Sequence, residues 1–450
     1  MNNIMKNRFL TSIILSIVLL FAASLRIHTF YLPHNHGDQL FFLGLAMKLD
    51  NFGFKEYNLK GIDVVSDEKA NILAVVNSGP GQKGSLLESL EKDNVFYYSN
   101  EPLSNMPPAF SYLLMLSHKI FSPNKVFLTV NRNLGSFGII FRPRPFFVSQ
   151  FYSVWINFTF SLLLILIVFL LGKSLFNEKA ALWASFLMAI APVDILTSQR
   201  LWTDEMASLF IALCVLLFWH GRTKRNLILF LLSGLSAGLA AITKQSGVFI
   251  IFVIIAFAVF VKYSETKTIS RNLLFNKEII LFLAGVILIC VFWYTKITLV
   301  YGAPWYMPYQ KDIEKVASWF KYLSQRSRWG QLYYFVSLLP LTILFYFESF
   351  FTVLKRKFSP ERILCLFWFF FFALFLILIP AKEERYMLPA YPAITIFSGI
   401  MLENLRTQLN KRKIYLGDSI IILILCLSAI LSTKTALNCV FSNCAIFNSS

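Results

Sequence analysis

Residues 202–220 read WTDEMASLFIALCVLLFWH, an apolar run that opens with two acids, Asp204 and Glu205. A run of this length is what an α-helix needs to cross a hydrocarbon core of about 30 Å. Similar runs recur along the chain, which is 57% hydrophobic and 15% charged. Soluble domains are about 45–50% apolar and about 25% charged. The composition therefore excludes a soluble enzyme and a disordered chain.

The sequence predicts an all-α polytopic membrane protein with about eleven transmembrane helices. The expected spans are 9–31, 147–171, 179–198, 202–220, 225–243, 246–262, 279–299, 331–352, 362–380, 386–404 and 417–437. The first span is longer than the core of a signal peptide, so we expect a retained anchor.

Lysine and arginine in the short loops predict the orientation, because cytoplasmic loops are enriched in them. Nineteen lie in the N-terminus and the loops on its side, and ten lie in the opposite short loops and the tail. The N-terminus is therefore expected in the cytoplasm of a multi-pass plasma (inner) membrane protein. The net charge of +18 then reports topology and not nucleic-acid binding.

Two long segments, 32–146 and 300–330, are expected on the extracytoplasmic side. The first holds ten of the 24 acids, and its apolar runs 41–47 and 109–121 are too short to span, so they are expected to be surface helices. In the second, apolar residues at helical spacing between 313 and 323 predict a basic amphipathic helix. Such a helix suits an anionic lipid head group, or it is only an interfacial tether.

Polar side chains from four elements distant in sequence are expected at the same outer face. They are Asp38, Asp204, Glu205, Lys244, Lys382, Arg385 and Tyr386. Ionisable groups at membrane depth are costly and usually functional. Purely structural roles stay open as well: an acid at a helix start can simply favour the helix dipole, Lys244 can extend its charge to the interface, and charges in 382–385 can pair with each other.

Metal and cofactor signals are sparse. His34, His36 and Asp38 could ligate a divalent metal, but two histidines and one acid on a loop are more typical of ordinary loop residues. No cofactor is therefore expected to be required. The chain has no G-x-G-x-x-G, P-loop or D-x-D motif, so a nucleotide-handling enzyme has no support. Cys439 and Cys444, on the outer side, are candidates for a disulfide.

A carboxylate beside several cations at the mouth of a helical bundle suits the transfer of a group from a lipid phosphate. Lysine and arginine stabilise the departing phosphate without a metal. A carboxylate on the far side of the reacting carbon accepts the proton of the attacking hydroxyl.

The order of five motifs resembles that in the GT-C superfold glycosyltransferases, in particular family 39, with the protein O-mannosyltransferases and the aminoarabinose transferases. The motifs are Gly37-Asp38-Gln39, Met106-Pro107-Pro108-Ala109, residues 198–204, residues 238–244 and residues 382–389. The resemblance covers most of residues 1–405, which would form the transmembrane catalytic domain. Residues 406–450 would add the last span and a short outer tail.

The resemblance implies an inverting transfer of a hexose or pentose from a polyprenyl-phosphate carrier to an acceptor hydroxyl or phosphate on the extracytoplasmic face. The acceptor would be a glycan, a lipid or a protein. At the positions that match the family's motifs, Asp38 would be the base, and Asp204 would hold the acceptor or orient the site. Lys244 and Tyr386 would contact the donor phosphate. Further substrate-binding candidates by the same match are Arg385, Lys382 and Glu205.

Gln39 departs from the pattern, because many relatives carry a second acid at this position. Whether Glu205 or another group takes over that role stays open. The competing hypothesis is a transporter or flippase of a lipid-linked saccharide, although transporters place their polar groups near the bilayer midplane. A non-catalytic membrane scaffold is the third class.

Overall fold

A computed structural model of the chain describes residues 2–27, 42, 45–46, 49–50, 62–67, 72–78, 95–96, 107–121, 129–131, 136–141, 148–267, 276–301, 341–356, 358–378, 384–411 and 419. The α-helices are α1 (Asn2–Ile27), α2 (Ala109–Phe121), α3 (Val148–Leu175), α4 (Glu178–Ala189), α5 (Pro192–Thr197), α6 (Asp204–Lys224), α7 (Leu227–Thr243), α8 (Phe249–Thr266), α9 (Lys277–Tyr301), α10 (Leu341–Leu354), α11 (Pro360–Leu378) and α12 (Tyr391–Lys411). Two 3₁₀ helices, η1 (Gln245–Val248) and η2 (Glu384–Ala390), precede α8 and α12.

The chain is a multi-pass membrane protein with a helical membrane part. Within the described residues, five stretches are long and apolar enough to cross a bilayer: Phe9–Ile27, Trp155–Leu175, Asp204–Lys224, Gln245–Thr266 and Lys277–Lys296. The helical membrane architecture expected from the sequence is thus confirmed. The total of eleven spans stays a prediction, because all but one residue of 417–437 and nearly half of 331–352 fall outside the described residues.

The expected span 179–198 is wrong as a single helix, since it forms two helices, α4 and α5. Proline has no amide hydrogen, and its ring clashes with the preceding turn, so a helix cannot continue through Pro192. The chain instead ends α4 and restarts with Pro192 as the first residue of α5. This break leaves the last carbonyls of α4 without partners inside the helix.

The segment 32–146 contains the expected helix over 109–121, which is α2. It also contains an antiparallel five-stranded sheet that the sequence analysis did not anticipate, with strand order β3-β1-β2-β5-β4. The strands are β1 (Ile62–Asp67), β2 (Ile72–Ser78), β3 (Val95–Phe96), β4 (Thr129–Asn131) and β5 (Ser136–Phe141). The pair β2–β5, with Val75 opposite Ile139, joins residues more than sixty positions apart. Pairing over such a separation leaves no local sequence signal.

Helices α7 and α9 approach each other closely where both carry glycine. A Cβ atom on Gly234 would lie 1.9 Å from the carbonyl oxygen of Phe282, and one on Gly285 would lie 2.3 Å from that of Leu231. Small residues allow membrane helices to pack backbone against backbone, where dispersion contacts replace the hydrophobic effect. This contact positions the end of α7, which carries Lys244.

We expect Gly285→Ala to destabilise the protein, because the added methyl group must push α7 away from α9. Overpacking of this kind typically costs about 1–3 kcal/mol. Thermal unfolding in detergent would report a lower Tm. The matched control is Ala284→Val on the adjacent exposed position of α9, which we expect to leave Tm near that of the wild type. Equal Tm values for the two variants would contradict the close approach.

Candidate functional site

An ion pair joins two elements at one end of the helix bundle. Asp204 opens α6, and Lys244 is the residue that ends α7. The Lys244 Nζ atom donates to the Asp204 carboxylate, which is only 1% exposed. Thr203, at the N-cap position of α6, makes no side-chain capping hydrogen bond. The Asp204 side chain thus contacts Lys244, in addition to any favourable interaction of its charge with the helix dipole.

Aromatic rings extend this pair into a chain of alternating cations and rings. Lys244 Nζ lies 4.4 Å from the centre of the Tyr386 ring. The Arg385 guanidinium carbon lies 5.4 Å from the same ring and 4.2 Å from the Trp202 ring. We call Asp204, Lys244, Tyr386, Arg385, Trp202 and Arg200 the cation–aromatic cluster; Arg200 lies 6.0 Å from Trp202. Cations within about 6 Å of a ring centre are attracted to its electron-rich face.

The turn before α6 is held by a buried asparagine of α3. The Asn157 Nδ2 atom donates to the carbonyl oxygens of Arg200, at 2.6 Å, and of Trp202, at 2.7 Å. The amide of Arg200 also donates to the carbonyl of Thr197, at 3.1 Å. These bonds fix the backbone from which Arg200 and Trp202 project. Sequence reasoning assigned neither residue a role, because each is ordinary by itself and only the fold shows them beside Arg385.

The cluster carries an excess of positive charge. Among the described residues it combines three cations, Lys244, Arg385 and Arg200, with one acid, Asp204. Burial lowers the pKa of Arg200 to about 10, because its charged form loses water, and the group remains charged at neutral pH. Clustered cations in a water-poor environment attract anions, and arginine binds phosphate with a geometry that lysine cannot match.

Glu205 points away from this cluster into a separate buried one. It is fully buried, accepts a hydrogen bond from the Thr197 hydroxyl, and interacts with Asp194 and Arg26. We call Arg26, Asp194, Glu205, Ser161 and Thr197 the buried carboxyl cluster. The pairing of Arg26 with Asp194 was not predicted from the sequence, and the signal for it was the presence of a charge inside each of two apolar spans.

Several predicted site residues lie outside the described residues. They are Asp38, Gln39, Lys382, His34, His36, Cys439 and Cys444. The structure therefore brings together Asp204, Lys244, Arg385 and Tyr386 from the predicted set, and it does not describe the expected base. Within the described part of the chain, no group of three histidine, cysteine, aspartate or glutamate side chains is arranged to hold a metal ion.

The protein thus combines apolar helices long enough to span a membrane with a cluster of charged and aromatic side chains at one end of the bundle. Residues 146–294 match the family model described as dolichyl-phosphate-mannose-protein mannosyltransferase. A protein of Aquifex aeolicus described as uncharacterized is 23% identical over 339 residues, which cover 74% of this chain and 60% of that protein.

Solved structures share the fold over nearly the whole chain. The oligosaccharyltransferase of Archaeoglobus fulgidus in complex with zinc and sulfate matches with a TM-score of 0.59 at 16% identity, over 94% of this chain and 53% of that one. AglB of the same organism, in complex with an inhibitory peptide and a dolichol-phosphate, matches at 0.56 and 14% identity, over 96% and 55%. ArnT from Cupriavidus metallidurans bound to undecaprenyl phosphate matches at 0.53 and 13% identity, over 90% and 61%.

The chain therefore has the fold of the GT-C membrane glycosyltransferases, and the resemblance indicated by the sequence motifs is confirmed. It spans between half and two thirds of the length of the proteins it matches.

We expect the Lys244–Asp204 pair to behave as a coupled unit in stability measurements. Lys244→Gln leaves a buried carboxylate without its cation and should cost about 1–3 kcal/mol. Asp204→Asn combined with Lys244→Gln should recover part of that loss, because no charge is then left uncompensated. The measurement is a double-mutant cycle of unfolding free energies.

The exposed pair Lys173–Glu178 at the other end of the bundle serves as the control. Its removal should cost less than about 1 kcal/mol, since water screens exposed charges. Additive effects of Lys244→Gln and Asp204→Asn would show that the two side chains do not interact.

Proposed function

We propose that the protein is an inverting membrane glycosyltransferase that moves a hexose or pentose from a polyprenyl-phosphate carrier to an acceptor on the extracytoplasmic face. The observation that carries the proposal is the cation–aromatic cluster at one end of the bundle, in a chain with the GT-C fold. The acceptor atom would be a hydroxyl or phosphate oxygen of a glycan, lipid or protein. The catalytic part would comprise residues 1–405, with the N-terminus in the cytoplasm.

The donor proposal rests on charge. The leaving group of the reaction is a phosphate anion attached to a lipid, so the site must offer cations near the membrane surface. Lys244 and Arg385 meet this need, and Tyr386 lies between them, within 4.4 Å of Lys244 Nζ and 5.4 Å of the Arg385 guanidinium carbon. Two solved structures with the same fold bind dolichol-phosphate and undecaprenyl phosphate. Lys382, three residues before Arg385 in the sequence, is a further candidate contact.

In the proposed reaction, the bond between the anomeric carbon of the sugar and the phosphate oxygen breaks as the acceptor oxygen attacks the opposite face of that carbon. The electron pair goes to the phosphate, where Lys244 and Arg385 stabilise the developing charge. Where the acceptor is a hydroxyl, its proton goes to Asp38, which acts as the base; an ionised phosphate oxygen attacks without losing a proton. Attack from the opposite face inverts the configuration of the sugar.

Asp204 would orient the site. Its carboxylate holds the Lys244 ammonium group, so it fixes the position of one phosphate-binding cation. A role in holding the acceptor is compatible with this contact, because a carboxylate has acceptor sites to spare.

The proposed reaction includes no step through a metal. One similar structure was determined with zinc, and the candidate metal ligands of this chain, His34, His36 and Asp38, lie outside the described residues. The cation–aromatic cluster lies at helix ends, whereas transporters place their substrate sites near the bilayer midplane, so this cluster favours the transferase over the transporter hypothesis.

Binding of undecaprenyl phosphate to the purified protein in nanodiscs tests the donor site. Arg385→Met, and the double variant Lys244→Gln with Asp204→Asn, should each weaken binding at least about tenfold, or about 1.4 kcal/mol. Arg222→Met at the opposite end of the bundle is the control and should bind like the wild type. Undecaprenol, which lacks the phosphate, should bind all four proteins equally weakly. Wild-type affinity in both site variants would contradict the proposed site.

Transfer itself is tested with Asp38→Asn, which removes the base and keeps the size of the side chain. We expect loss of transfer while binding of undecaprenyl phosphate is retained. The measurement is mass spectrometry of outer-surface glycans and lipids in cells that carry the wild type, the variant or no copy of the protein. A product that disappears without the protein and persists in the variant would remove Asp38 as the base.

A further inference from the structure

The buried carboxyl cluster joins four helices near the cation–aromatic cluster. Arg26, in the last turn of α1, forms an ion pair with Asp194 of α5, and both side chains have no exposed surface. Ser161 of α3 donates to the same Asp194 oxygen at 2.7 Å and accepts from Arg26 Nε at 2.7 Å. Glu205, in the first turn of α6, interacts with Asp194.

Arg26 also stabilises the break between α4 and α5. Its Nη1 atom donates to the carbonyl oxygen of Ala189, at 3.0 Å, and to that of Ala22, at 2.9 Å. Ala189 is the last residue of α4, so its carbonyl has no partner within the helix. One guanidinium group thus ties the end of α1 to both sides of the proline break.

The charges of this cluster do not balance if both acids are ionised. Two carboxylates and one guanidinium would leave a net negative charge in an interior without water, which is strongly unfavourable. Two carboxylate oxygens, Asp194 Oδ1 and Glu205 Oε2, are buried and have no hydrogen-bond donor among the described residues. A single proton between the two acids removes the excess charge and supplies the missing donor.

We propose that Asp194 and Glu205 share one proton and, with Arg26, form a positioning device that fixes the first turn of α6, and so Asp204, relative to the outer end of α1. Glu205 directly follows Asp204, and the chain leaves α1 one residue after Arg26 and runs on to Asp38. Arg26, Asp194 and Glu205 are then positioning residues for the proposed transfer. The effect on sugar transfer rests on the proposed function. The shared proton and the fixed position of the first turn of α6 can be measured without it.

The shared proton has a spectroscopic signature. We expect the infrared spectrum of the wild-type protein at neutral pH to contain the C=O band of a protonated buried carboxyl group. Glu205→Gln and Asp194→Asn should each remove that band, because each leaves a single acid that stays ionised beside Arg26. The same band present in both variants, or absent from the wild type, would overturn the shared proton.

The thermal stability of variants provides a second test of the shared proton. Glu205→Gln should keep a Tm near that of the wild type, because the amide replaces the proton-donating carboxyl group at the same position. Glu205→Ala should lower Tm by several degrees. Arg26→Met should also lower it, and adding Asp194→Asn should restore much of the loss by removing the uncompensated charge. A Tm for Glu205→Gln as low as that of Glu205→Ala would contradict a neutral Glu205.

Positioning is tested by hydrogen exchange at the start of α6, in the peptide that spans residues 198–208. Arg26→Met with Asp194→Asn should raise its exchange several-fold, while Glu205→Gln and the control Arg222→Met should not. In the transfer assay, the same double variant should lower kcat about tenfold and raise the donor KM, because a displaced Asp204 also shifts the Lys244 ammonium group that it holds.

Unchanged exchange in the double variant would overturn the positioning role and reduce the cluster to a structural contact. A wild-type protein that transfers no sugar would instead contradict the proposed function. The infrared and exchange measurements would still show whether the two acids share a proton and whether the cluster fixes the start of α6.

Discussion

A charge that is removed from water inside a membrane bundle must find a partner, and both polar clusters of this protein follow from that requirement. Lys244 and Asp204 compensate each other between the end of α7 and the start of α6. Arg26 and Asp194 do so between α1 and α5. The paired residues are 40 and 168 positions apart in the sequence, and an apolar contact does not select a partner as specifically as an ion pair does. The ion pairs therefore fix which helix ends meet, and the site is built from those ends.

Close packing determines how near these ends can come. Gly234 and Gly285 let α7 lie directly against the backbone of α9, and Gly399 does the same for α12 against α4, where a Cβ atom would lie 2.5 Å from the carbonyl oxygen of Ala180. Helix α12 follows η2, which carries Arg385 and Tyr386. The helix that ends at Lys244 and the one that follows Tyr386 are thus both positioned by glycine contacts. The cation–ring distance of 4.4 Å depends on this packing.

Much of the helical framework could be predicted from the sequence, because hydropathy and helix boundaries are local properties. The apolar run 109–121 became α2, and the run that opens at Trp202 became α6. The interruption of the span at Pro192 was missed, although proline is a helix-breaking residue, because the apolar run continues through it. The sheet could not be predicted, since β2 pairs with β5 from a distant part of the same segment.

Four residues of the candidate site could be predicted from the sequence, because they are polar residues at the ends of apolar runs. They are Asp204 of α6, Lys244 at the end of α7, and Arg385 and Tyr386 of η2. Their partners could not be predicted. Nothing local indicates that Trp202 contacts Arg385, or that Arg26, counted within the first span, pairs with Asp194. Such pairings arise from tertiary packing. The sequence shows which residues are charged, but it does not show which of them pair.

The two consecutive acids at the start of α6 illustrate how one local motif serves two environments. Neighbouring residues in an α-helix point about 100° apart, so Asp204 and Glu205 cannot face the same partners. Asp204 contacts Lys244, and Glu205 turns inward to Thr197 and Asp194. Any movement of this first turn therefore displaces both clusters together. The geometry of the cation–aromatic cluster is in this way tied to the buried contacts of Arg26, at the point where the chain leaves the first helix.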